Sequence, residues 1–425
     1  MTEHPGAGRN LVSGLIGLLA VTVAVLMGWS SSEARSVVVV HCGDVITQDT
    51  KLGNDLVDCP ADGLVIGADD VTLDLHGHTI DGVGQGTGIV VDNQGQPGPD
   101  RATLQNGFVR EFNTGVSVSA SGESHIRKLK LSANPGAILA VNSPNAWIEQ
   151  NNVQASGFGI RTVFGGSERI EDNRVTGGGI GISNTAGAEV TGNVLQNGGI
   201  IAGTIGESRF VKNVVSSYGT TGIDLCCDAR DNLVQQNKVS GGSVGIRLST
   251  FSTENEIRGN VVAGNSEMGI RLGRGGSELV PNRVDQNVVY GNGEGILDED
   301  DGSSVVAGNR IYRNLTNGVD IGQPVSKFRI LDNRLSGNGG DGILVGPSCC
   351  TPLIEGNAVI DGNTSRGNGD DGVEVDQAPI TLTGNTLRKN GDLGIEAIPG
   401  TIDGGGNRAF QNGNVLQCLN VACGP

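Results

Sequence analysis

The chain has 425 residues and a formal net charge of −17, with 46 acidic side chains against 29 lysines and arginines. This balance disfavours nucleic acid as a partner, because the surface would repel phosphate backbones, and it would also repel polyuronates unless cations or a local basic strip intervene. A disordered Gly/Asn-rich tract is excluded, because 36% of the residues are hydrophobic and Ile, Val and Leu recur at fixed offsets.

The first 34 residues have the composition of an export signal. A short head is followed by an apolar run from Leu11 to Trp29 and then by Ser30-Ser31-Ser32-Glu33-Ala34, with small residues at Ser32 and Ala34. We predict a signal peptide over residues 1–34 that is cleaved after Ala34, although a run of this length could also remain as a membrane anchor. The expected location is secreted, periplasmic or at the cell surface, with membrane contact only if the signal is uncleaved.

Asparagine recurs with a spacing of 20 to 28 residues over most of the remaining chain. The series predicted to be equivalent is Asn152, Asn173, Asn193, Asn213, Asn237, Asn260, Asn287, Asn309, Asn333, Asn357, Asn385 and Asn407. Between these asparagines lies a second motif, Gly followed by Ile or Val, which we call the Gly-Ile dipeptide. Around it the apolar residues alternate with period two. Each repeat therefore holds at least two short strands, and stacking of such repeats predicts a solenoid.

Asparagine suits the corner of such a coil for two reasons. It tolerates the left-handed backbone region, and its amide can bond to the same amide one coil away. We therefore expect the recurring asparagines to form a ladder along the solenoid.

The repeats over residues 64–416 resemble the right-handed parallel β-helix superfamily, which contains pectate lyases, polygalacturonases and alginate epimerases. The preceding segment, which runs from Cys42-Gly43-Asp44 through Cys59-Pro60 to Leu73-Asp74-Leu75-His76-Gly77-His78, resembles the opening segment of bacterial β-helix repeat proteins. The resemblance implies an all-β, single-stranded right-handed parallel β-helix of about fifteen coils, with an N-terminal cap over residues 35–63 and a C-terminal cap or tail over residues 417–425. Unrelated chemistries share this fold, so it does not select a reaction.

Eight cysteines in an exported chain favour oxidised pairs. Cys42 with Cys59 would close the N-terminal cap, and Cys418 with Cys423 the C-terminal one. Cys226-Cys227 and Cys349-Cys350 are neighbours in sequence, and five coils, about 24 Å, separate the two pairs, so they cannot bond to one another. Each pair is either a strained vicinal disulfide or two thiols. A resemblance to periplasmic copper-accessory β-helix proteins would instead place metal at these corners.

Residues at equal offsets in successive coils form columns on one face of a β-helix. Taking the residue after each Gly-Ile pair as outward-facing gives the column Arg161, Ser183, Asp224, Arg247, Arg271, Leu297, Asp320, Leu344, Glu374 and Glu396. Its central residues, Asp224, Arg247, Arg271 and Asp320, are the candidate catalytic residues. In a lyase Arg247 or Arg271 would act as the base or as a charge clamp for a uronate carboxylate. The alternative is a solvated face whose charges pair across coils for under about 1 kcal/mol each.

The candidate metal ligands are the four consecutive acids Asp298, Glu299, Asp300 and Asp301. Hard cations take several carboxylate oxygens, so calcium is the predicted ion, although an exposed acidic turn or a catalytic carboxylate pair would have the same sequence. Two further segments, residues 337–342 and 367–372, resemble the calcium nonapeptide of toxin-type β-rolls. They recur after 30 residues instead of nine, so we interpret them as Gly/Asp-rich corner turns.

Two functions from different classes fit these observations. The first is an exported, monomeric protein that binds an extracellular or cell-wall polysaccharide and, in its enzymatic form, cleaves or epimerises it as a polysaccharide lyase or related enzyme. The second is a non-catalytic structural or surface-binding solenoid. Aromatic residues make up only 3% of the chain, so a bound polysaccharide would be held mainly by polar groups.

Overall fold

The computed structural model describes residues 37–92, 98–273, 280–299, 304–322, 327–347 and 358–425. All regular elements in these ranges are β-strands. Within them no helix is long and apolar enough to cross a membrane. The predicted signal over residues 1–34 lies outside the described residues.

The strands are numbered in chain order. The first fifteen are β1 (Val37–Val38), β2 (Asp44–Ile46), β3 (Thr50–Leu52), β4 (Leu56–Cys59), β5 (Leu64–Ile66), β6 (Thr72–Asp74), β7 (Thr79–Gly82), β8 (Thr87–Val91), β9 (Thr103–Arg110), β10 (Thr114–Ser119), β11 (His125–Val141), β12 (Trp147–Glu149), β13 (Asn152–Val163), β14 (Arg169–Glu171) and β15 (Arg174–Thr176).

The next fifteen are β16 (Ile180–Ala186), β17 (Glu189–Thr191), β18 (Val194–Gln196), β19 (Ile200–Gly206), β20 (Arg209–Val211), β21 (Val214–Ser216), β22 (Thr221–Cys226), β23 (Leu233–Gln235), β24 (Lys238–Ser240), β25 (Val244–Leu248), β26 (Glu256–Arg258), β27 (Val261–Ala263), β28 (Met268–Leu272), β29 (Asn282–Asp285) and β30 (Val288–Tyr290).

The last fifteen are β31 (Glu294–Asp298), β32 (Ser304–Ala307), β33 (Arg310–Tyr312), β34 (Val319–Ile321), β35 (Arg329–Leu331), β36 (Arg334–Ser336), β37 (Ile343–Val345), β38 (Ala358–Asp361), β39 (Thr364–Arg366), β40 (Val373–Val375), β41 (Ile380–Thr383), β42 (Thr386–Arg388), β43 (Ile395–Ala397), β44 (Ile402–Gly405) and β45 (Arg408–Phe410).

All paired strands are parallel, and each strand of the regular coils pairs with the strand three places later in the chain. The chain therefore winds into about 15 turns of a right-handed parallel β-helix, which confirms the predicted fold class. Three sheets run along the helix. Sheet 1, which carries the candidate site, contains β16, β19, β22, β25, β28, β31, β34, β37, β40 and β43.

The core is a continuous stack of Ile, Val and Leu side chains, one layer per coil. In sheet 1 this layer includes Ile223, Ile246, Ile270 and Ile296, all fully buried. Their regular stacking follows from the strand register, which aligns each of them with the next. A solenoid of this kind buries apolar surface only between neighbouring coils.

The glycine that precedes each of these core residues is required by close packing between coils. A Cβ atom on Gly295 would lie 2.2 Å from the carbonyl oxygen of Gly318, and one on Gly318 would lie 2.5 Å from that of Gly342. Real Cβ atoms do not approach carbonyl oxygens this closely. The Gly-Ile dipeptide therefore marks the point where the backbones of successive coils come into contact.

The asparagine ladder is present and buried. Each Nδ2 donates to the Oδ1 of the asparagine in the next coil at 2.9 to 3.1 Å. Its members are Asn151, Asn173, Asn193, Asn213, Asn237, Asn260, Asn287, Asn309, Asn333, Asn363, Asn385 and Asn407. Two predicted members are therefore wrong. Asn152 is exposed and its neighbour Asn151 takes the position, and Asn363 takes the position assigned to Asn357, which lies outside the described residues.

The predicted left-handed backbone of the ladder asparagines is also wrong. None of them has a positive φ, whereas the residue directly before each one does, as in Lys212, Gln236 and Gly259. The corner is made by this preceding residue. Asparagine is selected by its amide, which donates to the next amide and to a backbone carbonyl while accepting a backbone N–H.

The sequence analysis did not find a second ladder beside sheet 1. It consists of Asn265, Asn292, Asn314, Asn338, Asn368, Asn390 and Asn412, each bonded to the next at 2.9 to 3.1 Å. Gln417 ends it by accepting from the Nδ2 of Asn412. The two ladders hold the two corners that flank the third sheet, which contains β27, β30, β33 and β36.

The two predicted end disulfides are confirmed. Cys42 is bonded to Cys59 and Cys418 to Cys423, with Cα atoms 5.5 and 6.2 Å apart. Strands β2, β3 and β4 pair in parallel with β5, β6 and β7, with a register shift between Leu56 and Cys59, so residues 44–59 already form a coil of the stack. The first disulfide therefore closes a loop within the N-terminal coil.

Candidate functional site

The outward column of sheet 1 has the predicted order from Asp224 onward. Asp224 aligns with Arg247, Arg247 with Arg271, Arg271 with Leu297, and Leu297 with Asp320. Each step is one strand spacing, about 4.8 Å. Asp320, Leu344, Glu374 and Glu396 continue the column toward the C-terminus.

One predicted member of the column is wrong. Gly181 aligns with Arg161, whereas Ser183 aligns with Val163 and Gly203, two residues further along the strand. The Gly-Ile dipeptide is duplicated at Gly179-Ile180 and Gly181-Ile182. The first copy aligns with the dipeptide of the preceding coil, because Ile180 pairs with Ile160. A repeated dipeptide thus misled the alignment.

Arg247 and Asp224 form a two-point ion pair. Nε of Arg247 donates to Oδ1 of Asp224 at 2.9 Å, Nη2 donates to Oδ2, and the hydroxyl of Ser249 donates to Oδ1 at 3.2 Å. Asp224 is buried, and its hydrogen bonds raise the pKa of Arg247 above its ordinary value. Arg247 is therefore a fixed cation, which suits a charge clamp and not a base.

Arg271 repeats this arrangement one coil further on, with Glu299 as its partner. Nη2 and Nε of Arg271 donate to Oε2 of Glu299 at 2.7 and 2.9 Å. Between the two arginines lies an open groove of about 360 Å³, whose lining includes Arg247, Ser249, Thr250, Arg271 and Glu299. The groove thus offers guanidinium, hydroxyl and carboxylate groups side by side.

Glu294 and Asp320 form a carboxyl pair next to this groove. Burial, and then the charge of Asp320, raise the pKa of Glu294 to about 8, while burial raises the pKa of Asp320. The negative charge of Glu299 raises both pKa values further. Asp320 lies two positions beyond Arg271 in the outward column. Burial and the repulsion between the two carboxylates therefore oppose ionisation of both groups at once.

These six residues make up the charged strip: Asp224, Arg247, Arg271, Glu299, Glu294 and Asp320. Sequence reasoning placed Asp224, Arg247, Arg271 and Asp320 on one face but missed Glu294. The sequence does contain a signal for Glu294, because this residue lies directly before the Gly295-Ile296 dipeptide.

The residues directly before each Gly-Ile dipeptide form a second column, which becomes acidic toward the C-terminus. Oδ1 of Asn317 accepts the backbone N–H of Asp341, Oδ1 of Asp341 accepts that of Asp371, and Oδ1 of Asp371 accepts that of Leu393, at 2.9, 2.8 and 2.5 Å. Asp341 and Asp371 belong to the segments that we interpreted as corner turns. In the folded chain their carboxyl groups are buried.

Glu374 completes an acidic cluster with Asp341 and Asp371. One carboxylate oxygen from each of the three lies within 4.8 Å of the others, an arrangement that could hold a metal ion. Burial is the largest cause that raises the pKa of Asp371 to about 7 and that of Glu374 to about 8, followed for Glu374 by its hydrogen bond to Asp341. Burial and the neighbouring carboxyl groups therefore oppose full ionisation of the cluster.

The predicted metal ligands at residues 298–301 are not brought to one point by the described residues. Asp298 faces inward and its carboxylate accepts a hydrogen bond from the hydroxyl of Ser304. Glu299 faces the groove and pairs with Arg271. Asp300 and Asp301 lie outside the described residues, so the four-acid site stays a prediction.

Next to Asp224, toward the N-terminus, sheet 1 forms a shallow trough with a floor of glycine. Its volume is about 440 Å³, and its lining includes Arg161, Gly181, Ile201, Gly203 and Cys226. Ile201 is 54% exposed. Because Gly181, Ile201 and Asp224 are successive members of one column, the trough and the charged strip lie on the same face.

Comparison with protein families identifies the class. The family described as right handed beta helix region matches residues 62–215, 163–284 and 221–386, and the chain belongs to this family. No match was found among curated proteins.

Solved structures with the same kind of fold share little sequence with this chain. The A-module of the Azotobacter vinelandii mannuronan C-5 epimerase AlgE6 is 17% identical over 90% of this chain and 91% of its own, with a TM-score of 0.45. The periplasmic alginate epimerase AlgG is 14% identical over 76% and 77%, with a TM-score of 0.38. PfbA, a surface adhesin of Streptococcus pneumoniae, is 12% identical over 71% and 83%, with a TM-score of 0.37. The likeness concerns the fold alone.

Proposed function

We propose that this protein is exported and binds an extracellular or cell-wall polysaccharide along the outward face of sheet 1. The observation that carries the proposal is the groove between Arg247 and Arg271, where two cations, two hydroxyl groups and a carboxylate line one open cleft. Polar groups of this kind on two successive coils suit a linear chain of hydroxyl- and carboxylate-bearing sugars. The glycine trough extends the same face and would accept the apolar side of a sugar ring on Ile201.

Each arginine keeps part of its donor set for a ligand. Arg247 and Arg271 both contact their carboxylate partners through Nε and Nη2. A guanidinium group carries five N–H donors, so Nη1 remains for an anionic sugar. The two arginines thus supply the local basic strip that an acidic protein needs in order to bind a uronate.

In the enzymatic form of this proposal, the charged strip also carries out proton transfer. Arg247 and Arg271 would stabilise the negative charge that develops when a proton leaves the carbon beside a uronate carboxylate. Asp224 would hold Arg247 in place, and Asp320, two coils or about 10 Å beyond Arg271, would accept or return the proton together with Glu294. Loss of the leaving group would give a lyase, and return of the proton on the other side would give an epimerase.

Calcium is the proposed ion. Asp341, Asp371 and Glu374 offer the oxygen ligands that hard cations prefer, and their clustered carboxyl groups would release protons on binding. The four acids at residues 298–301 remain a second candidate. Calcium in either place would also lower the repulsion between this acidic face and a uronate.

The alternative is a non-catalytic solenoid. It is favoured by one observation, namely that Arg247 and Arg271 each already have a carboxylate partner on the same face. In that case the ion pairs keep the stack soluble and aligned. The export signal over residues 1–34, cleavage after Ala34, the cap and coil boundaries at residues 35–63, 64–416 and 417–425, and the monomeric state belong to both forms of the proposal.

The test is binding and product formation on a panel of uronate and neutral polysaccharides, with and without calcium. We expect at least one uronate polymer to bind, and Arg271→Ala to weaken that binding about tenfold, since a hydrogen bond to a charged group contributes about 1.5–3 kcal/mol. Arg258→Ala is the matched control, because Arg258 forms an ion pair with Glu256 on another sheet.

The outcomes separate the two functions. Unsaturated uronate or new reducing ends that disappear in Arg271→Ala would establish a lyase or hydrolase, and exchange of solvent hydrogen into the polymer would establish an epimerase. Binding without product would leave a binding protein. If no polymer binds, or if Arg258→Ala and Arg271→Ala weaken binding equally, the proposed face is wrong and the structural solenoid is the function.

A further inference from the structure

Cys226 and Cys227 lie next to each other at the end of β22, between the glycine trough and the charged strip. Their Sγ atoms are 3.1 Å apart, and a disulfide bond would shorten this distance to about 2.0 Å. Cys226 is partly buried and lines the trough, whereas Cys227 is exposed and has a left-handed backbone with φ of 63°. The two sulfur atoms are already directed at one another.

The remaining cysteines of the described chain are oxidised. Cys42–Cys59 and Cys418–Cys423 are disulfides, and Cys226 and Cys227 are the free cysteines of the described residues. Disulfides form and persist in oxidising compartments. The environment that closed the two end disulfides would therefore also act on an exposed thiol with a second thiol beside it.

We propose that Cys226 and Cys227 form a vicinal disulfide in the exported protein, and that this bond is reduced far more easily than the two end disulfides. It would be a redox-labile modification site at the junction of the trough and the charged strip. The proposal does not depend on whether a polysaccharide binds there.

The expected lability follows from covalent geometry. Consecutive Cα atoms are about 3.8 Å apart across a trans peptide, whereas the Cα atoms of a disulfide are usually 4.4–6.8 Å apart. A bond between adjacent cysteines is therefore strained, and strained disulfides have higher reduction potentials. The end disulfides, with Cα separations of 5.5 and 6.2 Å, lie within the usual range.

The chemistry is thiol–disulfide exchange with a small-molecule or protein disulfide as the oxidant. The thiolate of exposed Cys227 attacks one sulfur of that disulfide and releases one donor thiol. The sulfur of Cys226 then displaces the second donor thiol and closes the bond to Cys227. Two cysteine thiols lose two protons and two electrons, and the donor disulfide becomes two thiols.

A metal fits the pair less well. Two thiolates on one tetrahedral zinc ion, with bonds of about 2.3 Å, stand about 3.8 Å apart, more than the 3.1 Å seen here. The two candidate metal groups among the described residues do not include these cysteines; they are Asp341 with Asp371 and Glu374, and Asp370 with Asp371 and Asp392. The short separation thus points to a bond between the sulfurs.

The test is alkylation of the purified, unreduced full chain, followed by trypsin digestion and mass spectrometry. Residues 213–230 form a tryptic peptide that contains Cys226 and Cys227 and no other cysteine, so Cys349 and Cys350 do not interfere. We expect this peptide to be unalkylated and lighter by two hydrogens than its dithiol form. In a titration with dithiothreitol, it should become doubly alkylated at about one tenth of the concentration that opens Cys42–Cys59.

Two controls make the result decisive. In Cys227→Ser, the remaining Cys226 should be alkylated after mild unfolding, which shows that the reagent can report a thiol at this position. In Cys42→Ser with Cys59→Ser, which leaves no unpaired thiol at the N-terminal coil, the pair should behave as in the parent chain. Double alkylation of the peptide in unreduced protein, even after treatment with oxidised glutathione, would overturn the proposal, as would a bond no easier to reduce than Cys42–Cys59.

Discussion

At the residue scale, two kinds of ladder lie at different corners of the coils and differ in their chemistry. A ladder asparagine donates and accepts, so a column of them is neutral and satisfied, as at Asn237, Asn260 and Asn287. An aspartate accepts only, so Asp341 and Asp371 can accept backbone N–H groups but cannot donate to each other without a proton. The acidic corner is therefore sensitive to pH and to cations, whereas the asparagine corner is not.

The asparagine ladder predicts a specific loss of stability. Asn260→Ala removes the acceptor for the backbone N–H and Nδ2 of Asn237, and it leaves the carbonyl of Val234 without its side-chain donor. Because each buried unsatisfied polar group costs about 1–3 kcal/mol, we expect the free energy of unfolding to fall by at least that amount. Chemical denaturation measures it. Asn152→Ala, at an exposed position beside the ladder, should change it by less than about 0.5 kcal/mol.

The acidic corner predicts a dependence on pH. Burial raises the pKa of Asp371 to about 7 and the pKa values of Glu374 and Glu294 to about 8, above the ordinary values of 3.8 for Asp and 4.5 for Glu. The folded protein then binds more protons than the unfolded chain between about pH 4 and 8. The stability from these groups is present below that window and is lost as the pH rises through it.

Thermal unfolding at a series of pH values tests this dependence. Tm should fall from pH 5 to pH 8, and Asp371→Asn, which keeps the Oδ1 acceptor for Leu393, should flatten the curve. Calcium should raise Tm most at the upper end of the window, where the carboxylates are free of protons. A Tm that rises with pH over this range would contradict the assignment.

At the element scale, the strands of sheet 1 are aligned by close backbone contact as well as by apolar packing. The glycines before the buried Ile and Val residues form a column in which each backbone lies against the next, as Gly295 does against Gly318. The close contact along this column explains why the Gly-Ile dipeptide recurs in the sequence. It also fixes which residues face outward, and thereby places the charged strip.

The glycine column predicts a loss of stability on substitution. In Gly295→Ala the new Cβ would lie 2.2 Å from the carbonyl of Gly318, a clash with backbone that a side-chain rotation cannot relieve. We expect a cost of about 1–3 kcal/mol or more from overpacking, measured by denaturation. Gly181→Ala is the matched control, since its Cβ would meet Arg161 at 3.7 Å, an ordinary contact. Equal stability of the two variants would contradict this role for the column.

At the scale of the whole molecule, the coils form one continuous stack from Asp44 to Phe410. Each coil contacts its neighbours, so stability is a sum of coil terms and interface terms, and an end that is not closed frays first. Cys42–Cys59 closes the N-terminal coil. The linear stack also presents the charged strip and the trough as one extended surface.

Loss of the N-terminal disulfide should therefore have a directional effect. For Cys42→Ser with Cys59→Ser, a loop of this length predicts a loss of about 3 kcal/mol. We expect faster amide hydrogen exchange in β2 to β7, with β41 to β45 unchanged, by mass spectrometry. In Cys418→Ser with Cys423→Ser, we expect faster exchange in β41 to β45, with β2 to β7 unchanged. Uniform loss of protection along the chain would mean that the stack unfolds as a single unit.

The sequence by itself determined the fold, the ladder and the end disulfides, because a solenoid repeats the same local interactions and so records them as a period. It also placed Asp224, Arg247, Arg271 and Asp320 on one face, since side chains alternate along a strand and equal offsets stack. The sequence prediction was wrong at Asn152, Asn357 and Ser183. At these positions an adjacent asparagine, a longer repeat or a duplicated Gly-Ile dipeptide allowed more than one register with a similar spacing.

Only the tertiary structure decided how these residues are connected. The pairing of Arg271 with Glu299, the contact of Glu294 with Asp320, and the cluster of Asp341, Asp371 and Glu374 depend on where the chain turns between strands. Side chains at the bends do not follow the alternation of the strands. Burial, which raises the pKa values of these carboxyl groups, is likewise a property of the stacked coils and not of any one repeat.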